Sequence, residues 1–220
     1  MDLNKSLEWF DPTVVDKSIT IIGCGAVGSH TCVLLARLGI QSFILYDKDT
    51  VDSHNIANQN FNFNDIGRPK VEVVAEQIKA INPQAKVVTV NDFFVPFKHN
   101  LNGYVVFCVD SIDVRREITK YCQTLSWVKG IFDFRMGLTS GQFYAVTPTQ
   151  YKEYLNTMQF TNEEADALTP HSACGFELSV AYSIWTMLGI GISLMVRTWK
   201  GESVPMTNII DTGNLTILSC

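Results

Sequence analysis

The stretch "ITIIGCGAVGSHTCVLLARLG", residues 19–39, runs on to the acidic strand end "LYDKD" at 45–49. It reads as a buried strand, a glycine loop, a helix over about 27–38 and a second buried strand. Glycines at 23, 25 and 28 form a G-x-G-x-x-G fingerprint, which permits a tight turn and close approach of backbone to phosphate at a helix N-terminus. Ala26 and Val27 complete that loop. Asp47, nineteen residues beyond Gly28, is placed to accept hydrogen bonds from ribose hydroxyls.

Working outward, apolar strands alternate with helical patterns. "GRPKVEVVAEQIKAINP" (67–83) predicts a helix with Pro69 in its first turn and a stop at Asn82-Pro83. "AKVVTVND" (85–92) and "YVVFCVD" (104–110) are strands, and "DVRREITKYCQTL" (113–125) is the helix after the second of them. "VKGIFDFRMG" (128–137) and "SGQFYAVTP" (140–148) supply further strands. This order predicts an α/β fold: a doubly wound, mostly parallel sheet with a Rossmann-like nucleotide site at the carboxyl ends of its strands. The chain is expected to be one domain over 1–220, with a nucleotide-binding half at 1–145. The remainder, 146–220, is expected to hold a crossover loop with a short helix, an apolar helix and a hairpin turned at Gly213-Asn214.

Composition narrows the function. The 220 residues carry a formal net charge of −5, with no long run of like charges, which argues against nucleic acid as a partner. Six cysteines lack any C-x-x-C pair, so no structural zinc is expected. The first residues show no apolar targeting segment, and a cytoplasmic location is expected. "VAYSIWTMLGIGISLMV" (180–196) reads as a buried helix rather than a membrane span.

The acids and amides after the second strand discriminate among nucleotide users. Asp49 follows Asp47 by two residues; Asn55, Asn58, Gln59 and Lys70 come next, and Asp110 closes the fourth strand. Hydride transfer has no need of such a set. Attack on the α-phosphate of ATP needs a cation, carboxylates for magnesium and amides to orient the triphosphate.

In these motifs the chain resembles the ThiF/MoeB/HesA family, the fold of ubiquitin-activating enzymes, from about residue 9 to 200. "GCGAVG", "DKDTVDSHNIANQ", "GRPK" and "CVDSIDVR" stand in the family's order and spacing. "FRMGLTSGQFYAVTP" is similar to a segment of its small stand-alone phage- and plasmid-type members. The resemblance implies an ATP-dependent adenylyltransferase using magnesium. Asp47 would bind ribose, Asn55 and Gln59 would line the phosphate site, Lys70 would stabilise the α-phosphate and Asp110 would hold the metal. It also implies a homodimer and, as substrate, the C-terminal carboxylate of a ubiquitin-like (β-grasp) or sulfur-carrier protein. Cys174, ahead of the apolar helix, takes the position of the family's thioester cysteine.

Two departures stand out. Asn58 replaces the family's usual arginine, and no arginine precedes Arg37, so the triphosphate site is short of cations. Arg68, Arg115 and Arg135 are the candidates to replace them. Alternatives stay open: a carboxylate on a tRNA base, a peptide or a small molecule as acceptor, an NAD-dependent oxidoreductase, or a nucleotide-binding protein whose catalysis has decayed.

Overall fold

The computed structural model describes residues 1–173 and 178–220, with the side chain of Leu168 left aside. A single eight-stranded sheet runs in the order β3-β2-β1-β4-β5-β6-β7-β8. Its parallel part comprises β1 (Ile19–Ile22), β2 (Ser42–Tyr46), β3 (Lys86–Val90), β4 (Gly103–Phe107) and β5 (Val128–Met136). β6 (Ser140–Val146), β7 (Thr207–Asp211) and β8 (Thr216–Ser219) extend it antiparallel. The predicted α/β class and mostly parallel sheet are therefore observed.

Helices cover both faces. α1 (Ala26–Arg37) packs against α2 (Lys70–Ile81) and against the long α6 (Ala181–Trp199). On the opposite face α3 (Ile112–Cys122) packs against α4 (Tyr151–Asn156), with α5 (Asn162–Leu168) following. β1 is buried at all four positions, which is why its sequence is a continuous apolar run rather than an alternation. On β5 the pleat separates the two cores: Phe132 and Phe134 join the α1/α2/α6 core, and Ile131 joins the α3/α4 core. α6 lies close to the sheet because Gly191 has no side chain; a Cβ there would come within 2.3 Å of the Phe134 ring. No helix among the described residues is long and apolar enough to cross a membrane.

Differences from the sequence expectation are local. Pro69 sits at the N-cap of α2 rather than in its first turn. The polar segment after β6 holds two short helices, not one. α5 is started by Thr161, whose hydroxyl accepts from the Glu164 N–H while Glu164 reaches back to the Thr161 N–H.

Candidate functional site

Strand order reverses between β1 and β4, and in open α/β sheets the carboxyl ends of the strands at such a switch point are where ligands bind. β1 ends at Ile22, just before the glycine loop; β2 ends at Tyr46, just before Asp47; β4 ends at Phe107, three residues before Asp110. The topology thus brings all three sequence signals to one edge.

Each glycine of the loop has a different reason to be there. Gly23 has φ +95°, and a Cβ would meet the Cys108 carbonyl at 2.6 Å. Gly28 packs so tightly that a Cβ would fall 1.9 Å from the Gly23 carbonyl. Gly25, the N-cap of α1, faces open space, with only the Gln59 amide at 4.0 Å. No side chain caps α1, so the N–H groups of its first turn, including those of Ala26 and Val27, are left for an anion.

Asp47 pins this loop: its carboxylate accepts from the Cys24 N–H at 2.6 Å and the Asp49 N–H at 2.8 Å. Burial pushes its pKa up, partly offset by those two bonds. Each oxygen keeps a lone pair for a further donor such as a ribose hydroxyl.

Lys70, the first residue of α2, is 6% exposed, an unusual burial for a lysine. Its Nζ donates to Asp49 Oδ2 at 3.2 Å, and its N–H donates to the Asp49 carbonyl at 2.9 Å. Val51 and Gly67 are joined by a further backbone bond, so the acid loop and the start of α2 form one unit.

Asn55 is buried, but its side-chain Oδ1 accepts from the Asp52 N–H within its own turn. Asn58 is half-buried. Gln59 Oε1 is buried without a hydrogen-bond partner beside Gly25, a polar atom that a ligand donor would satisfy. Sequence reasoning missed what holds this loop. The Asn60 N–H donates to Ser29 Oγ on α1 at 3.0 Å, while the Asn60 and Gln77 side chains tie it to α2. Nothing in their residue types marks Ser29 or Gln77 in advance.

Asp110 is exposed, and its Oδ1 accepts from the Ser111 N–H at 2.8 Å. No group of three His, Cys, Asp or Glu side chains able to cage a metal occurs among the described residues. One exposed carboxylate nevertheless suits magnesium arriving on a nucleotide, because that ion keeps its waters and takes one or two carboxylates plus phosphate oxygens.

The candidate replacement arginines fall elsewhere. Arg115 and Arg135 both bind the fully buried Asp133, at 2.9 and 2.6 Å, and Tyr154 donates to it at 2.7 Å. Burial pushes the Asp133 carboxyl up, and the two guanidiniums more than reverse this, holding it below the usual carboxylate range. Arg68 pairs with exposed Glu76 and with buried Asp65. Arg116 is spent on the Met158 and Phe160 carbonyls and Asp113, so Arg115 and Arg116 form no basic patch. Cys174 lies outside the described residues. Burial raises the thiol pKa of Cys24, Cys32, Cys108 and Cys122, as suits core residues.

Residues 13–193 match the model of the ThiF family. The chain belongs to that family. It is 34% identical over 125 residues to the tRNA threonylcarbamoyladenosine dehydratase of Escherichia coli (strain K12), covering 54% of this chain and 45% of that protein. It is 33% identical over 130 residues to the ubiquitin-like modifier-activating enzyme 5 of Drosophila persimilis, covering 51% and 34%. The ThiF-family chain thus spans less than half the length of each of these relatives. Among solved structures, E. coli MccB with ATP superposes with a TM-score of 0.72 at 18% identity, over 95% of this chain and 65% of that one. E. coli TcdA, a tRNA N6-threonylcarbamoyladenosine dehydratase, gives 0.67 at 19% identity over 90% and 93%. Both likenesses place the fold in the Rossmann-like ThiF group.

Proposed function

We propose that the protein is an ATP-dependent adenylyltransferase that activates a carboxylate, the C-terminal carboxylate of a ubiquitin-like or sulfur-carrier protein. The observation that carries this is Lys70, a buried cation held on Asp49 and near enough to act electrostatically on Asp47, the acid that pins the glycine loop. Hydride transfer leaves its cofactor's phosphates intact and has no need of this combination of cation, acids and amides, whereas attack on an α-phosphate does. ATP would lie with its phosphates at Gly25–Val27 and its ribose on Asp47, with Asn55, Asn58 and Gln59 lining the phosphates. A substrate carboxylate oxygen would attack the α-phosphorus, and the bond to the bridging oxygen would break. Pyrophosphate would leave with the electron pair. Lys70, swinging from Asp49, would neutralise charge building on the α-phosphoryl oxygens. Asp110 would hold magnesium, which supplies further charge neutralisation when bound. Transfer to Cys174 as a thioester is a separate later step, and a homodimer is the expected assembly.

A second reading changes only the acceptor, to a peptide or tRNA carboxylate. It is favoured by the likeness to a tRNA dehydratase; the dispersal of Arg115 and Arg116 weighs against tRNA. The test is ATP–pyrophosphate exchange, with and without a small protein ending in Gly-Gly. Exchange is expected in the wild type, stimulated by the carrier. It should vanish in Lys70→Ala and Asp110→Ala and persist in Cys174→Ala. Undiminished exchange in Lys70→Ala would overturn the proposal.

A further inference from the structure

The cluster around Asp133 makes no contact with the crevice residues through its own carboxylate, yet it reaches the site through one side chain. Arg115 Nε donates to Asp133 Oδ1 at 2.9 Å, Nη2 donates to the Phe134 carbonyl at 3.1 Å, and Nη1 donates to the Asp110 carbonyl at 2.8 Å. One planar fork therefore spans the end of β5 and the turn that leaves β4.

Charge balance alone does not account for it. Arg135 already neutralises Asp133, with its own pair at 2.6 Å and with its guanidinium stacked 4.2 Å from the Tyr144 ring. Burying a second guanidinium, 4% exposed, against the same carboxylate is an electrostatic cost that forming the core does not require. What the second cation obtains is the bond to the Asp110 turn. That turn is clamped from outside as well: Asn162 of α5 accepts from the Ile112 N–H at 2.8 Å, and Ser111 caps α3.

We propose that Arg115, anchored on Asp133, is a positioning residue that fixes the backbone of Asp110 and so the direction in which its carboxylate meets a nucleotide-borne divalent cation. This rests on the role given to Asp110 above. Arg115 itself touches no nucleotide. A lysine at the same place keeps the charge, but its three N–H donors sit on one nitrogen and do not reach the three spaced acceptors that Nε, Nη1 and Nη2 of the fork meet.

The experiment measures ATP affinity by calorimetry, with EDTA and then with saturating magnesium, for wild type, Asp110→Asn, Arg115→Lys and Tyr154→Phe. Melting curves identify the folded variants. Arg115→Lys is expected to bind magnesium-free ATP within about twofold of wild type. It should lose at least about tenfold of affinity in magnesium, as Asp110→Asn does. If Arg115→Lys does not fold, Tyr154→Phe, which removes one bond to Asp133 and leaves both arginines, is expected to show the same selective loss of at least about threefold. A folded Arg115→Lys or, failing that, Tyr154→Phe with the full magnesium effect overturns the inference while leaving the nucleotide site intact. An equal loss with and without magnesium also overturns it, because that marks general damage. A wild type without a magnesium effect, or an Asp110→Asn protein that keeps it, removes the assignment of Asp110 and this inference together.

Discussion

Alanine placed at each glycine of the loop separates folding from ligand binding. At position 28 the new Cβ would sit 1.9 Å from a backbone oxygen, far inside the 3.0 Å that real Cβ atoms keep. No side chain can move to relieve it, so α1 must shift against β1. The cost is at least about 3 kcal/mol, the top of the usual range for overpacking, and a melting temperature lower by roughly 6–12 °C at this chain length. At position 23 the clash is with the Cys108 carbonyl, and φ +95° adds backbone strain, so a similar loss is expected. At position 25 φ is −78° and the nearest atoms are 4.0 Å away. That substitution costs only the preference of an N-cap for glycine over alanine, at most about 1 kcal/mol. Its methyl, however, enters the open space between the loop and the Gln59 amide, where the phosphates are proposed to lie. Losing one or two charge-assisted bonds there weakens ATP binding by roughly 10- to 100-fold. Calorimetric ATP titration beside thermal melts reads both quantities. A Gly25→Ala protein that binds ATP as tightly as wild type would refute the placement of phosphate, and a Gly28→Ala protein with an unchanged melting temperature would refute the packing.

Two further outcomes follow from burial. Asp133→Asn is expected to lower stability by about 3–5 kcal/mol at neutral pH, because it leaves guanidiniums buried without their carboxylate. The folded-state pKa of Asp133 lies below its ordinary 3.8, so the stability it contributes is present above that value and lost as pH falls through the folded pKa. Denaturant titrations should show the gap between wild type and variant steady above about pH 5 and narrowing only in strong acid; a gap already closing near neutrality contradicts the ion-pair account. Alkylation of the native protein should mark exposed Cys220 well before Cys24, Cys32 or Cys122. Peptide mapping that finds Cys24 modified without denaturant would show that the strand–loop junction opens.

Much of this was legible in the sequence because it depends on local chemistry. The glycine spacing, the apolar run of β1, and acids placed just past strand ends each declare themselves within a few residues. The order of strands then carries Gly23, Asp47 and Asp110 to one crevice. What stayed hidden depends on contacts between distant segments. In "GIFDFRM" Asp133 looks like an interruption of a strand; only Arg135 among its partners stands beside it, while Arg115 lies eighteen residues before it and Tyr154 twenty-one after. For the same reason Arg115 and Arg135 looked available to the nucleotide, although both are consumed by that carboxylate. The short polar stretch that begins at Thr161 has too little apolar periodicity to announce α5.

The bare face of Gly191 has a mechanical consequence. It sets the thickness of the layer between α6 and the sheet, and α6 also leans on α1, whose opening turn is the proposed phosphate cradle. A bulkier residue at 191 would pry the long helix away from Phe134 and tilt α1 with it. The geometry at the front of the molecule is thereby hostage to a missing methyl at its back.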